Sequence, residues 1–137
     1  MIGALFLAAV VQGASASSVP VRSIEKGTQT FIDVSRQVTA HTAEEWSTLW
    51  RQHAPNRPMP TVDFSREMVV GIFAGSRSTA GYSIEIVSAE VLQGTLVVRY
   101  RETAPGRAAV TAQVITTPYH LVAVPKRDGP VRFEKID

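Results

Sequence analysis

The chain has 137 residues, of which 45% are hydrophobic and 19% charged, and it contains no cysteine. This length fits one domain with a self-supporting core, and the composition is typical of a globular protein rather than a disordered one. The formal charge of +2 comes from basic residues scattered along the chain, which argues against nucleic acid as a partner. Without cysteine, this sequence holds no disulfide, thiolate metal site or lipid-modified cysteine.

Residues 1–16 have the pattern of a signal peptide. An apolar run over residues 2–11 is followed by Ala14-Ser15-Ala16, small residues that a signal peptidase accepts. The run is too short to span about 30 Å of hydrocarbon, although no Lys or Arg precedes it. We therefore predict a signal peptide over 1–16, a single domain over 17–137, and export to the periplasm or the medium with no stable membrane anchor after cleavage.

The first predicted elements are a strand and a helix. Thr28 to Val38 carries β-branched and aromatic residues in partial alternation, which predicts a strand. Thr42 and Glu45 have the spacing of a capping box, and Pro55 should end the helix that they begin, at about residues 43–53. Four residues recur at the spacing of one helix face: Trp46, Leu49, Trp50 and His53. The two large indole rings predict that this helix packs on a sheet.

The rest of the chain predicts strands. The strand-like runs are Met68 to Ala74, Tyr82 to Ile86, Leu96 to Arg101, Val110 to Thr117, Tyr119 to Val124, and Val131 to Glu134. The first run is apolar on both faces, as in a strand covered on both sides, and the second and third should pair as a hairpin. With six to seven strands and turn signals every eight to twelve residues, we predict a mainly β fold. The expected architecture is an antiparallel sandwich or barrel-like sheet with one α-helix on the N-terminal side.

The loop after Met68 to Ala74 is the best candidate for a functional surface. It contains no apolar side chain larger than that of Ala80 and is framed by Gly75 and Gly81. Glycine takes positive φ, or lets another backbone come close, without steric cost. The loop therefore serves either as a demanding hairpin turn or as a contact surface. Arg77 at its centre is expected to be exposed, where its guanidinium either pairs with a partner carboxylate or is solvated.

Three segments resemble, in order and spacing, the C-terminal domain of PrcB-like proteins, the protease-complex stability proteins. They cover residues 68–86, 102–106 and 117–122; residues 45–50 and 62–65 also fit, so the resemblance spans nearly all of 17–137. It implies a small β-rich domain that is not an enzyme and whose namesake supports assembly or stability of a secreted protease complex. Many such proteins are lipid-anchored, but this sequence has no cysteine to acylate.

We therefore predict a non-catalytic, protein-binding domain, an accessory or stabilising factor of a secreted or periplasmic protease or other envelope complex. The predicted partner-binding residues are Gly75, Arg77, Thr79, Gly81 and Tyr82, with Tyr119 and His120 as a secondary patch. The glycines would supply backbone geometry, and Arg77 and Thr79 polar contacts. For Tyr119 and His120 the alternative is that the tyrosine packs in the core and the histidine forms a local hydrogen bond.

No catalytic, metal or cofactor site is expected. His41, His53 and His120 lack the spacing of metal ligands. A triad built from Ser76 or Ser78 would lack the second glycine of a nucleophile elbow.

A second hypothesis is protease inhibition by the loop from Gly75 to Tyr82. Ser78 to Tyr82 resembles part of the Thr-Thr-Gly-aromatic loop of chagasin-like cysteine-protease inhibitors, immunoglobulin-like domains that wedge loops into a protease cleft. The Asn-Pro that should precede this loop is absent, and Arg57-Pro58 is not followed by the expected aromatic residue. A blocking loop needs a preorganised backbone more than any one side chain, and the two glycines are compatible with that requirement.

Overall fold

The computed structural model describes residues 17–137, which form two four-stranded sheets and one helix. The predicted signal peptide over 1–16 lies outside the described residues. In chain order the elements are β1 (Ser17–Val19), β2 (Arg22–Gly27), β3 (Arg36–Ala40), α1 (Ala43–His53), β4 (Glu67–Phe73), β5 (Ser83–Leu92), β6 (Thr95–Thr103), β7 (Tyr119–Pro125) and β8 (Val131–Ile136).

The strand order is β1-β5-β6-β8 in one sheet, called sheet A, and β2-β7-β4-β3 in the other, called sheet B. All neighbours are antiparallel except β6 and β8, which run parallel. The predicted mainly β fold with one helix is confirmed, and the predicted hairpin is the β5–β6 pair. The two sheets form a sandwich and not a closed barrel.

The core has two layers that share sheet B. Between the sheets, Met68, Val70 and Ile72 of β4 pack with residues such as Leu96 and Val98 of β6. On the other face of sheet B, α1 covers a second cluster that includes Val69, Phe73 and Leu121. Because β4 lies between two apolar layers, both of its faces are apolar, as its sequence predicted.

Helix α1 begins and ends as predicted. The hydroxyl of Thr42 accepts a hydrogen bond from the Glu45 backbone N–H, and Glu45 in turn accepts one from the His41 N–H. All four residues of the predicted helix face are buried. Burying an indole ring removes about 150–250 Å² from water, which contributes about 4–6 kcal/mol as an upper value. The helix is therefore held mainly by this face.

Two predicted strands differ from the structure. Thr28 to Val38 was predicted as a strand, but β3 begins only at Arg36, and the preceding residues form a loop. Val110 to Thr117 is also a loop, with a single bridge between Arg77 and Thr116. Their β-branched residues suggested strands, but neither segment has a neighbouring strand over its length. β1 and β2 were not predicted, because their short polar sequences carry little alternation.

Gly75 provides a test of the backbone at the end of β4. Its φ is 84°, and a Cβ there would lie 2.9 Å from the Ser35 backbone nitrogen. We expect Gly75→Ala to lower the free energy of unfolding by about 1–3 kcal/mol, as measured by urea denaturation. Gly106→Ala is the control, because a Cβ at Gly106 meets nothing within 4 Å. Equal losses in the two variants would contradict a special requirement at Gly75.

Candidate functional site

Three loops meet at one end of the sandwich, which we call the loop end: residues 28–35, 74–82 and 104–118. Backbone hydrogen bonds join them. The N–H of Ser76 donates to the carbonyl of Asp33 at 3.2 Å, that of Arg77 to Thr116 at 2.7 Å, and that of Thr117 to Thr28 at 2.8 Å. The predicted glycine-framed loop is therefore the middle member of a connected set.

The two framing glycines have the backbone geometry that was predicted. Gly75 and Gly81 have φ values of 84° and 98°, a region that side-chain-bearing residues rarely adopt. A Cβ at Gly81 would lie 2.9 Å from the Pro105 Cβ. Both glycines thus allow the central loop to approach its neighbours.

Arg77 makes its contacts inside the protein and not as an exposed side chain. Its Nε and Nη2 donate to the two carboxylate oxygens of Glu102 at 2.7 and 3.0 Å. Its Nη1 donates to the carbonyls of Ala74 and Ser76, and the guanidinium lies 5.9 Å from the centre of the Tyr82 ring. The hydrogen bonds from Arg77 lower the pKa of the Glu102 carboxyl. This ion pair joins the loop to β6.

Thr79 also bonds within the loop end. Its hydroxyl donates to the Ala80 carbonyl at 2.9 Å, and its own carbonyl accepts a hydrogen bond from the Thr116 hydroxyl at 2.9 Å. The central loop, residues 74–82, is thus held by the contacts of Thr79 and by those of Arg77 with Glu102 and Tyr82.

Tyr119 and His120 are buried, with 3% and 5% of their surface exposed. As neighbours on β7 they point to opposite faces of sheet B. Tyr119 belongs to the layer under α1, whereas His120 reaches β5 of sheet A. The structure does not bring either side chain to the loop surface.

Tyr119 belongs to a polar cluster around Glu25 on β2. Oε1 of Glu25 accepts hydrogen bonds from the Tyr119 hydroxyl and from Nε2 of His53, each at 2.7 Å, and Arg57 donates to both carboxylate oxygens. Burial alone would raise the pKa of Glu25, but the hydrogen bonds from Arg57, Tyr119 and His53 lower it to about 2. Burial and the Glu25 contact raise the pKa of Tyr119 to about 12.

The cluster continues to a hydroxyl, because Oγ1 of Thr30 lies 2.6 Å from Nδ1 of His53. A hydroxyl, an imidazole and a carboxylate in a row are also the parts of a hydrolase triad. Here the His53 side chain is completely buried, and Thr30 Oγ1 accepts a hydrogen bond from the Ile32 N–H. The chain of hydrogen bonds therefore joins the end of α1 to β2 and β7. Sequence reasoning missed Glu25, since nothing in the charged β2 segment indicates which carboxylate meets a histidine.

His120 joins the two sheets. The backbone N–H of Ile86 on β5 donates to His120 Nδ1 at 2.9 Å, so this nitrogen carries no proton. In the neutral ring the proton is then on Nε2, which donates to the Ser23 hydroxyl at 2.8 Å. On β5, strand β1 pairs only with Ala89 to Val91. The Ile86 N–H, which lies beyond this pairing, donates to His120 instead. Burial, and to a lesser extent Lys26, lower the pKa of His120.

Exposed apolar side chains concentrate at the loop end. Of the seven large apolar residues that are exposed within residues 17–137, five lie on its outer two loops: Phe31, Val34, Val110, Val114 and Ile115. Phe31 and Ile115 expose 68% and 69% of their surface on segments joined by a hydrogen bond from Gln29 to the Ile115 carbonyl. Phe31 also helps to line a pocket of about 270 Å³, together with Arg57. Such surface is typical of an interaction site.

Within residues 17–137 no three His, Asp or Glu side chains are arranged to hold a metal ion. In the same part of the chain, no helix has both the length and the apolarity needed to cross a membrane.

Residues 68–125 match the family model described as "PrcB C-terminal". The resemblance predicted from the sequence is confirmed over this segment. It begins in β4, ends with β7 and includes two of the three loops of the loop end. Comparisons with curated proteins and with solved structures give no match.

Arg77 can be tested as a structural ion pair. We expect Arg77→Ala to destabilise the fold by about 1–3 kcal/mol, because it leaves the partly buried Glu102 carboxylate without its main donor. Arg77→Lys should recover only part of the loss, since an ammonium group does not reproduce a bidentate contact. Thermal unfolding measures both variants. A stability unchanged by Arg77→Ala would contradict this role.

Because His53 and His120 are buried, we expect the free energy of unfolding to fall as the pH is lowered. Burial lowers the pKa of both His53 and His120 below the ordinary 6.5, so the unfolded chain binds protons more readily than the folded one. The two histidines therefore do not lower the free energy of unfolding above about pH 6.5. Below that pH the free energy of unfolding falls by up to about 1.4 kcal/mol per pH unit for each histidine. Below about pH 4.5, protonation of unfolded Glu25 adds a further loss.

Urea denaturation from about pH 8 to about pH 5 measures this dependence. His120→Asn should reduce the slope. A slope that is the same with and without His120 would contradict the assignment.

Proposed function

We propose that this chain is a non-catalytic protein-binding domain that acts as an accessory or stabilising factor of a secreted or periplasmic protease or other envelope complex. The observation that carries the proposal is the group of exposed apolar side chains at the loop end. Soluble proteins rarely expose several large apolar residues in one place without a partner. Phe31 and Ile115 are the expected centre of the contact.

The loop end is preorganised for binding. Its three loops are joined by backbone hydrogen bonds, and the Arg77–Glu102 pair holds the central loop against β6. A surface that is already ordered loses less conformational entropy on association. In this proposal the predicted residues Gly75, Arg77, Thr79, Gly81 and Tyr82 act by shaping the surface, and the apolar side chains on the flanking loops make the contact.

The choice of partner follows from the family resemblance. The "PrcB C-terminal" match covers the central loop and the third loop, and PrcB-like proteins are the protease-complex stability proteins. The predicted signal peptide would place the domain where secreted proteases act.

Affinity purification from the native host tests this function. We expect the wild-type domain to co-purify with an intact, active protease complex, and the double variant Phe31→Ser, Ile115→Ser to capture at least about tenfold less, a loss of about 1.4 kcal/mol. Met59→Ser is the control, because Met59 is an exposed apolar residue outside the loop end.

Equal capture by the double variant and the wild type would contradict binding through the loop end. Titration of the purified domain into cysteine and serine proteases distinguishes the inhibitor hypothesis. Tight inhibition there would contradict the accessory role and favour the chagasin-like alternative.

A further inference from the structure

Strand β3 has one unpaired edge. It is the outer strand of sheet B, and its residues Arg36 to Ala40 pair without interruption with β4. Within residues 17–137, its backbone makes no hydrogen bond except to β4. A strand edge of this kind presents a row of N–H and C=O groups to which another strand can bond.

The other sheet edges are less suited to pairing. β2 is interrupted by a bulge between Ser23 and Glu25, and β1 has three residues. β8 carries the ion-paired charges of Arg132 and Glu134 along its length. Bulges, short strands and charged side chains are the usual protections against strand addition, and β3 has the most regular edge.

A groove lies on each side of β3. On one side Val38 and Ala40 face α1, and the groove between strand and helix has a volume of about 550 Å³. On the other side Gln37 and Thr39 face the same way as the core residues Ile72 and Val70, yet both are exposed, because sheet A does not cover them. A cleft of about 160 Å³ opens there between the sheets.

An added strand would place alternate side chains on opposite faces of the sheet. One set would enter the helix groove, and the other set would enter the cleft. Main-chain hydrogen bonds then give affinity, and the two depressions give specificity, as in other cases of strand addition.

The two depressions differ in charge. The helix groove is lined by the carboxylates of Glu44 and Glu45 and by one guanidinium, that of Arg36, which is bonded to Gln52. The cleft is lined by Arg77 and Lys135, by Arg36, which borders both depressions, and by one carboxylate, that of Glu102. Lys135 lies 3.7 Å from Glu102 and its side chain is 55% exposed. The groove therefore favours a basic side chain and the cleft an acidic one.

We propose that β3 accepts an extended segment of a partner protein as a fifth strand of sheet B, with acidic side chains toward Lys135 and basic side chains toward Glu44 and Glu45. This inference rests on the proposed function, because it names how a protein partner is held. The cleft shares Ser35 and Arg77 with the loop end, so one partner can contact both surfaces.

A synthetic peptide tests the proposal without the natural partner. The probe is a short capped peptide in which glutamate and lysine alternate, so that each face of the strand has one charge sign. NMR titration should shift the backbone amides of Arg36 to Ala40. A peptide of the same composition with the charges in like pairs should bind more weakly, and a backbone N-methylated peptide should not bind.

Variants of β8 test the charge of the cleft. Lys135→Glu should weaken binding of the alternating peptide about tenfold or more. Arg132→Glu makes the same change of charge on the same strand but on the opposite face, and should leave binding unchanged. Thermal unfolding confirms that both variants remain folded.

Three results would overturn strand addition: no shifts at β3, equal binding of the N-methylated peptide, or occupation of β3 by a second copy of the chain, seen as concentration-dependent shifts without peptide. If the peptide fails while Phe31→Ser, Ile115→Ser still abolishes capture, strand addition is wrong and the proposed function stands. Peptide binding at β3 without any captured partner would support strand addition and contradict the proposed function.

Discussion

The antiparallel pair of β4 and β7 is buried on both faces, and the rest of the structure depends on it. One face packs against sheet A and the other against α1. The pairing runs from Glu67 opposite Pro125 to Phe73 opposite Tyr119. This pair also bounds the segment that matches the PrcB C-terminal family. A strand pair covered twice must be apolar almost throughout, so any polar residue on it needs partners inside the protein.

The polar residues of β7 satisfy this requirement through long-range contacts. Tyr119 and His53 share the Glu25 carboxylate under α1, and His120 bonds to β5 across the sandwich. These contacts hold β2, β5 and the end of α1 to the central pair by hydrogen bonds as well as by apolar packing. Buried groups of this kind are costly when unpaired, and within residues 17–137 no buried side-chain polar atom is left without a partner.

The two proposed binding surfaces lie where the cover on both faces of the β4–β7 pair ends. At the loop end, three connecting segments leave the sheets and bond to one another, and their apolar side chains have no layer to cover them. At β3, sheet B extends past the cover of sheet A, which leaves an edge and a cleft. Both surfaces begin directly beside the central pair, an arrangement that suits the proposed binding of a partner without a change of shape.

The sequence by itself determined the elements whose periodicity is strong: α1 with its capping residues, the doubly apolar β4, the β5–β6 hairpin, and the glycines that take positive φ. These depend on local spacing and on backbone sterics, which a chain carries in its residue order. Only the tertiary structure decided that Arg77 pairs with Glu102, that Glu25 meets His53, and that Val110 to Thr117 is a loop. Those outcomes depend on which segments, far apart in the sequence, become neighbours in the folded protein. Local spacing and backbone sterics do not specify these long-range contacts.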